Sequence, residues 1–265
     1  MDRLTFATYL APNVLPVYEA VTEEVGRRLG LATNLVVETS YESCERDVYE
    51  VCFVCSLPYI SFERRGISPA IPIVAPVLIG ERYGARPIYF SDVIVHADAP
   101  FRSFGDLRGG SWSFNESLSW SGYGITRYHL AKLGETDGFF GRVVEAGFHE
   151  ASIRLVAAGE VDASAIDSQV LAVALRDDAG LRDGLRVIDA LGPSTIQPVA
   201  VSKRVPEELR EAIREVLLGM DDDAAVHRRL AQGMVERFAP VGPTDYDDIR
   251  AMLDATEAAG ITALR

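Results

Sequence analysis

The chain has 265 residues, enough for a substantial core and for two lobes, since a domain takes roughly 150 residues. Hydrophobic residues make up 48% and charged residues 25%, an ordinary globular balance, and no apolar run approaches the roughly 18 residues of a membrane span. A formal net charge of −13 argues against nucleic acid as a partner, because duplex binding needs a basic stripe that displaces counterions, so an anionic ligand has to be held by local geometry.

The opening MDRLTFATYL carries no basic region followed by an apolar core, so no secretory signal is visible. On that reading the chain as written is cytoplasmic, and is periplasmic or extracytoplasmic if a signal has been removed from it. LTFATY is a strand candidate. From Val14 the apolar positions Tyr18, Val21, Val25 and Leu29 recur at spacings of three and four, which predicts an amphipathic helix stopping near Gly30. NLVVET reads as the next strand, and VCFVCSLPYISFERRG as a buried strand running into a short helix. Cys44, Cys52 and Cys55 are the chain's three cysteines, a number that fits a reducing compartment better than a disulfide framework. Within EVCFVC, residues i and i+3 of a strand face opposite ways, so buried small hydrophobes are expected instead of a redox or zinc pair. AIPIVAPVLI and IYFSDVIVH are further strands, and the first ninety or so residues therefore read as α/β with interleaved, parallel strands.

SWSFN is a short strand after Gly109 and Gly110, followed by a helix with Tyr123, Thr126, Leu130 and Leu133 on one face. EASIRLVAAG is a second helix with Gly159 as its stop, VDASAID a short strand, and SQVLAVALRDD a third helix. LRVIDALGPSTIQPVAVSKRVP carries two strand-like pieces around a Gly-Pro turn. Pro206 is placed for the first turn of PEELREAIREVLLGM, and two more helices follow on Val226, Leu230 and Met234 and on Ile249, Met252 and Leu253. The last seventy residues are mostly helical and are expected to cover the first block. Residues 1–92 and 195–265 then form one lobe and 93–194 the other, joined by two crossovers that make a hinge.

The stretch GSWSFNESLSWSGYGITRYHL, residues 110–130, sets Ser113, Asn115, Ser117, Ser119 and Ser121 before a helix with no lysine nearby. Ligands of open α/β sheets bind beyond the carboxyl ends of strands, where a helix's first turn offers unpaired N–H groups and a partial positive charge. Hydroxyls of Ser119 and Ser121 and the backbone at Gly122 extend that donor set toward an anion, although Ser119 or Ser121 also reads simply as a helix cap. Trp112 belongs to the strand and is expected in the core. His96, His129 and His227 read as surface or core residues, with no metal-binding spacing.

The runs SLPYISF, IYFSDVIVH, SFGDLRG, SLSWSGYGI, GFHEASIRLVAAGEVDASAIDS and SKRVPEELREAIREVLLGM, in this order, are similar to the substrate-binding proteins of phosphate, phosphite and phosphonate ABC importers. The resemblance spans almost the whole chain. It implies an α/β, two-lobed periplasmic-binding-protein type 2 fold with two hinge crossovers and a ligand cleft between the lobes. It further implies that Ser119, Trp120, Ser121 and Gly122 stand where the family has Ser-Thr-Ser-Gly, the loop that donates to phosphonate oxygens. By the same correspondence His149 falls on the family histidine, Asp167 on an acidic residue that receives a ligand ammonium, Tyr59 and Tyr89 on aromatic wall positions, and Ser91 on the hinge strand. Trp120 replaces the family threonine, Phe148 stands where serine is common, and Glu116 adds a carboxylate just before the loop. The implied partners are a small-molecule ligand and an ABC permease, the implied state is a monomer, and no metal or tightly held organic cofactor is called for.

A buried dianion is costly unless fully hydrogen-bonded, so one hydroxyl fewer leaves a monoanion or a zwitterion as fitting a ligand as phosphate. The nearest alternative is a cytoplasmic enzyme or ligand sensor on the same fold, acting on a small carboxylate or phosphorylated metabolite. In that case His149 would serve as general base and Asp167 as orienting acid, given hydrogen-bond reach between them. His149 and Asp167 each also read as helix-capping side chains, and Tyr59 and Tyr89 as ordinary rim packing.

Overall fold

The computed structural model describes residues 2–67, 69–135 and 138–264. Along the chain, β1 (Arg3–Thr8) leads through α1 (Leu15–Leu29) to β2 (Ala32–Val37), α2 (Glu42–Glu45), β3 (Val51–Phe53), α3 (Ser56–Arg64), β4 (Ala70–Leu78) and β5 (Ile88–His96). Next come β6 (Ser111–Phe114), a π-helical turn (Trp120–Gly124) continuous with α4 (Ile125–Lys132), β7 (Arg142–Glu145), α5 (His149–Ala157), β8 (Ala163–Asp167) and α6 (Ser168–Asp177). They are followed by α7 (Ala179–Gly184), β9 (Leu185–Thr195), β10 (Val199–Ser202), α8 (Glu207–Leu218), α9 (Ala224–Gln232), β11 (Val235–Pro240) and α10 (Asp247–Ala258). The chain divides into two compact units, Met1–Ile88 with Thr195–Asp247, and Tyr89–Ser194 with Asp248–Arg265. It therefore passes between units at 88/89, at 194/195 and again at 247/248.

In the first unit the strand order, among the described residues, is β11-β4-β10-β3-β1-β2. β1 runs parallel to both β2 and β3, as helical crossovers demand. β10, returning from the second unit, enters antiparallel between β3 and β4 and makes the sheet mixed. α1 fits its periodicity: Val17, Val21 and Val25 are buried, and Gly30 ends the helix at φ 66, where a residue without a Cβ is favoured. Tyr18 packs on Phe53 with ring centroids 4.5 Å apart. Cys44, Cys52 and Cys55 are free thiols and all three are buried.

The second unit repeats the theme with order β7-β6-β8-β5-β9. β6 is parallel to β7 and β8, while β5 pairs with β8 antiparallel. Trp112 is fully buried in an aromatic cluster, stacked on Phe140 at 4.7 Å and edge-on to Phe104 at 5.7 Å. The sequence reading placed residues 195–265 together, but the contacts put 248–265 with the second unit. The Arg127 guanidinium holds this tail through the Ile261 carbonyl, and Ile261 and Leu264 are buried.

Three details depart from the sequence pattern. Gly192 and Pro193 lie inside β9 instead of turning between two strands. β7 and β11 form edge strands that the pattern does not announce, because four residues of RVVE and the charged VERFAP give too little alternation, and pairing with β6 and β4 makes them strands. Leu133, expected on the inner face of its helix, is 49% exposed because the helix has ended at Lys132.

Gly141 marks the tightest backbone approach in the second unit, where a Cβ would lie 2.3 Å from the carbonyl oxygen of Gly109. No rotamer relieves a clash with backbone. Gly141→Ala is therefore expected to destabilise the protein by about 1–3 kcal/mol, read as a lower denaturant midpoint.

Candidate functional site

The site grows from the carboxyl end of β6. Ser111 anchors the strand by donating both its N–H and its hydroxyl to Asp162 Oδ2, each at 2.7 Å. Beyond the strand, Ala146 N–H donates to the Phe114 carbonyl and Gly147 N–H to the Asn115 carbonyl, both at 2.8 Å. The loop after β7 is thus tied alongside the loop after β6, and this pairing brings the start of α5 to the start of the π-helical turn.

Ser119 caps that turn. Its backbone is extended at φ −81, ψ 130, and its Oγ accepts from Gly122 N–H at 3.1 Å, so the capping reading of this serine is realised. Ser121 Oγ lies 3.4 Å from Ser119 Oγ and 2.9 Å from His149 Nε2. All three side chains are buried. The turn is wide because Gly122 and Gly124 accept close neighbours: a Cβ on Gly122 would lie 1.9 Å from Asn115 Oδ1, and one on Gly124 would lie 2.4 Å from Trp120 Cε3. Single π-helical turns of this kind recur at functional sites.

Trp120 is fully buried, and its indole N–H donates to Ser194 Oγ at 2.8 Å, beside the chain passage at 194/195. Its bulk is taken up inside the unit, and its backbone is what it contributes to the turn. His149 is the first residue of α5 and makes no cap; the N-cap is Phe148, with no side-chain hydrogen bond, at a position where serine in place of an apolar residue is worth about 1 kcal/mol. Burial pushes the His149 imidazole down to about 4, so it is neutral at neutral pH. Its Nδ1 is buried without a hydrogen-bond partner, as are Ser113 Oγ, Asn115 Oδ1 and Ser152 Oγ. Ser152 follows His149 by three positions on α5 and so shares its face, a spacing that marks it in the sequence. Ser113 and Asn115 belong to the donor-rich stretch 110–130 that the sequence already marks.

Asp167 ends β8 and caps α6, its Oδ1 accepting from Gln169 N–H at 2.8 Å and Val170 N–H at 3.4 Å. Ser91 stands opposite Asp167 in the β5–β8 ladder, and Tyr89 opens the unit on the same strand; all three side chains are buried. Ser119, Trp120, Ser121, Gly122, His149, Asp167, Tyr89 and Ser91 thus belong to one unit. Tyr59 belongs to the other, on α3, where its hydroxyl donates to Glu63 Oε1 at 2.9 Å and its ring meets Tyr246 edge-on at 5.6 Å. Among the described residues no group of three His, Cys, Asp or Glu side chains is placed to hold a metal, and no helix is long and apolar enough to cross a membrane.

Residues 5–246 match the model of the family described as the periplasmic, phosphonate substrate-binding protein of ABC transporters, and the chain belongs to that family. The structure is similar to a binding protein component of an ABC phosphonate transporter, PA3383 from Pseudomonas aeruginosa, with a TM-score of 0.83 at 16% identity, over 98% of this chain and 88% of that one. PhnD1 from Prochlorococcus marinus, solved in complex with methylphosphonate, gives 0.82 at 17%, over 95% and 97%. An ancestral arginine-binding protein bound to arginine gives 0.59 at 15%, over 88% and 98%. These likenesses establish the type 2 periplasmic-binding-protein fold.

Two outcomes check the site. His149 stays neutral in the folded protein down to about 4, while in the unfolded chain it takes up a proton near its ordinary 6.5. Between these values the unfolded state binds more protons, so stability falls as pH drops through the window, by roughly 3 kcal/mol once below it. His149→Asn should flatten that part of the stability–pH curve, measured by denaturant unfolding. Gly122→Ala should disrupt the turn, and adding Asn115→Ala should restore part of the lost stability by removing the clashing amide, a non-additivity that a double-mutant cycle reads out.

Proposed function

We propose that this protein is the extracytoplasmic receptor of an ABC importer, capturing a small anionic or zwitterionic ligand with a phosphonate or phosphate-like group and handing it to a permease. The observation that carries this reading is the contiguous set of Ser119, Ser121 and His149 at the opening of a helix, buried and without a cationic side chain among them. Neutral hydroxyls, first-turn N–H groups and the helix dipole stabilise an anion wherever water is excluded. The family supports a phosphonate as ligand, and a relative of the same fold is solved with methylphosphonate. Two compact units joined by several chain passages support capture by hinge closure.

His149 with Nε2–H donating to Ser121 Oγ leaves the serine hydroxyl hydrogen available to the anion. The opposite tautomer would consume that hydrogen, so ligand binding favours the first. An enzymatic reading finds less support. With His149 Nδ1 unpartnered, Asp167 does not orient the ring, and an imidazole pushed down to about 4 is poorly matched to accept a proton at neutral pH.

Calorimetric titration with methylphosphonate and with inorganic phosphate tests the proposal. At least one should bind, and Ser121→Ala should weaken it by roughly 10- to 150-fold, the range of one charge-assisted hydrogen bond. Failure of both anions to bind the wild-type chain, or an unchanged affinity in Ser121→Ala, would overturn it.

A further inference from the structure

Phe148 breaks two local rules at once. It occupies the N-cap of α5 at φ −134, ψ 158 with no side-chain cap, where short polar residues are preferred. The residue is also 52% exposed, more than any other large hydrophobic residue described in the second unit. No side-chain hydrogen bond at Phe148 offsets the first cost. Positions that violate local preference without a structural return are where function is to be sought.

The surroundings narrow what that function is. Phe148 is bonded directly to His149, whose Nε2 lies 2.9 Å from Ser121 Oγ. Leu118, 42% exposed, is bonded directly to Ser119. The backbone bonds from Ala146 to Phe114 and from Gly147 to Asn115 hold the two loops side by side, so both apolar side chains belong to the loop cluster that carries the hydroxyl donors. One group of atoms is polar and buried, and its immediate chain neighbours are apolar and open. A phosphonate has the matching division: a charged head and a carbon substituent. An ammonium-bearing substituent matches such apolar chain neighbours less well than a carbon chain does.

We infer that Phe148, with Leu118, forms an apolar rim to the donor site that receives the carbon substituent of the ligand, selecting phosphonates with an apolar alkyl or aryl group over inorganic phosphate and over aminoalkylphosphonates. The inference rests on the anion-binding reading above and specifies its substrate class. Each methylene buried against such a rim raises affinity by roughly fourfold.

The test is calorimetric titration of the full chain, as wild type, Phe148→Ser and Phe148→Ala, with inorganic phosphate, methylphosphonate, butylphosphonate, phenylphosphonate and 2-aminoethylphosphonate. Wild type should bind butyl- or phenylphosphonate at least roughly tenfold more tightly than methylphosphonate. In both variants the ratio of butylphosphonate to phosphate affinity should fall by a similar factor, and Phe148→Ser should melt at a higher temperature than Phe148→Ala because serine restores the cap. The inference is overturned if wild type does not distinguish methyl from butyl, if 2-aminoethylphosphonate binds most tightly, or if the variants weaken all ligands equally. Should phosphate and methylphosphonate bind while the substituent makes no difference, only this inference falls. If no anion binds the wild-type chain, the anion-binding reading falls with it.

Discussion

The hydrogen bond between Ser121 Oγ and His149 Nε2 is the contact around which the second unit's chemistry is organised. It joins residues 28 positions apart, carried by loops that leave neighbouring parallel strands, and it exists because Ala146 and Gly147 pair with Phe114 and Asn115. Parallel strands deliver their carboxyl ends to one side of the sheet. The loop after β6 and the loop after β7 therefore arrive together, each opening a helix. Burial then makes the histidine neutral, so the site presents hydroxyls and a neutral ring where a lysine or arginine would present a fixed charge. Such a set suits the anion capture proposed for it, since neutral donors act on an anion most strongly where water is excluded.

The π-helical turn shows how tightly this arrangement is made. Gly122 gives space to Asn115 and Gly124 gives space to the Trp120 indole, so both glycines are demanded by packing, neither having a positive φ. Trp120 illustrates how position and role separate. Its place in the motif puts it among hydroxyl donors, yet its ring lies inside the unit with Ser194 as its partner. A threonine at this position would add a hydroxyl; the tryptophan instead fills the interior next to a chain passage. Phe148 is the complementary case, a ring left in the open where a polar cap would serve the helix better.

Much of this was legible in the sequence. The three- and four-residue spacing of Tyr18, Val21 and Val25, the Gly30 stop, the apolar strands and the order of the family-like runs all follow from local patterns, and local patterns are what dihedral preference and side-chain periodicity encode. Ser119 and Ser121 in one family-like run and His149 in another were nameable because those runs are distinctive, and Trp112 because a strand tryptophan is too large to leave outside. Edge strands β7 and β11 were not legible, since their existence depends on partners far along the chain.

The sequence by itself determined the composition of the elements, the neutral character of the stretch Ser119–Gly122 and the family to which the chain belongs. Only the tertiary structure decided that Asp167 caps its own helix, that His149 turns to Ser121 instead of capping α5, that Trp120 points inward and that residues 248–265 join the second unit. The physical reason is the same in each case. A side chain's type fixes what it is able to bond, but its partner is chosen by which backbone segments the sheets bring within about 3 Å, and that depends on pairings across dozens of residues.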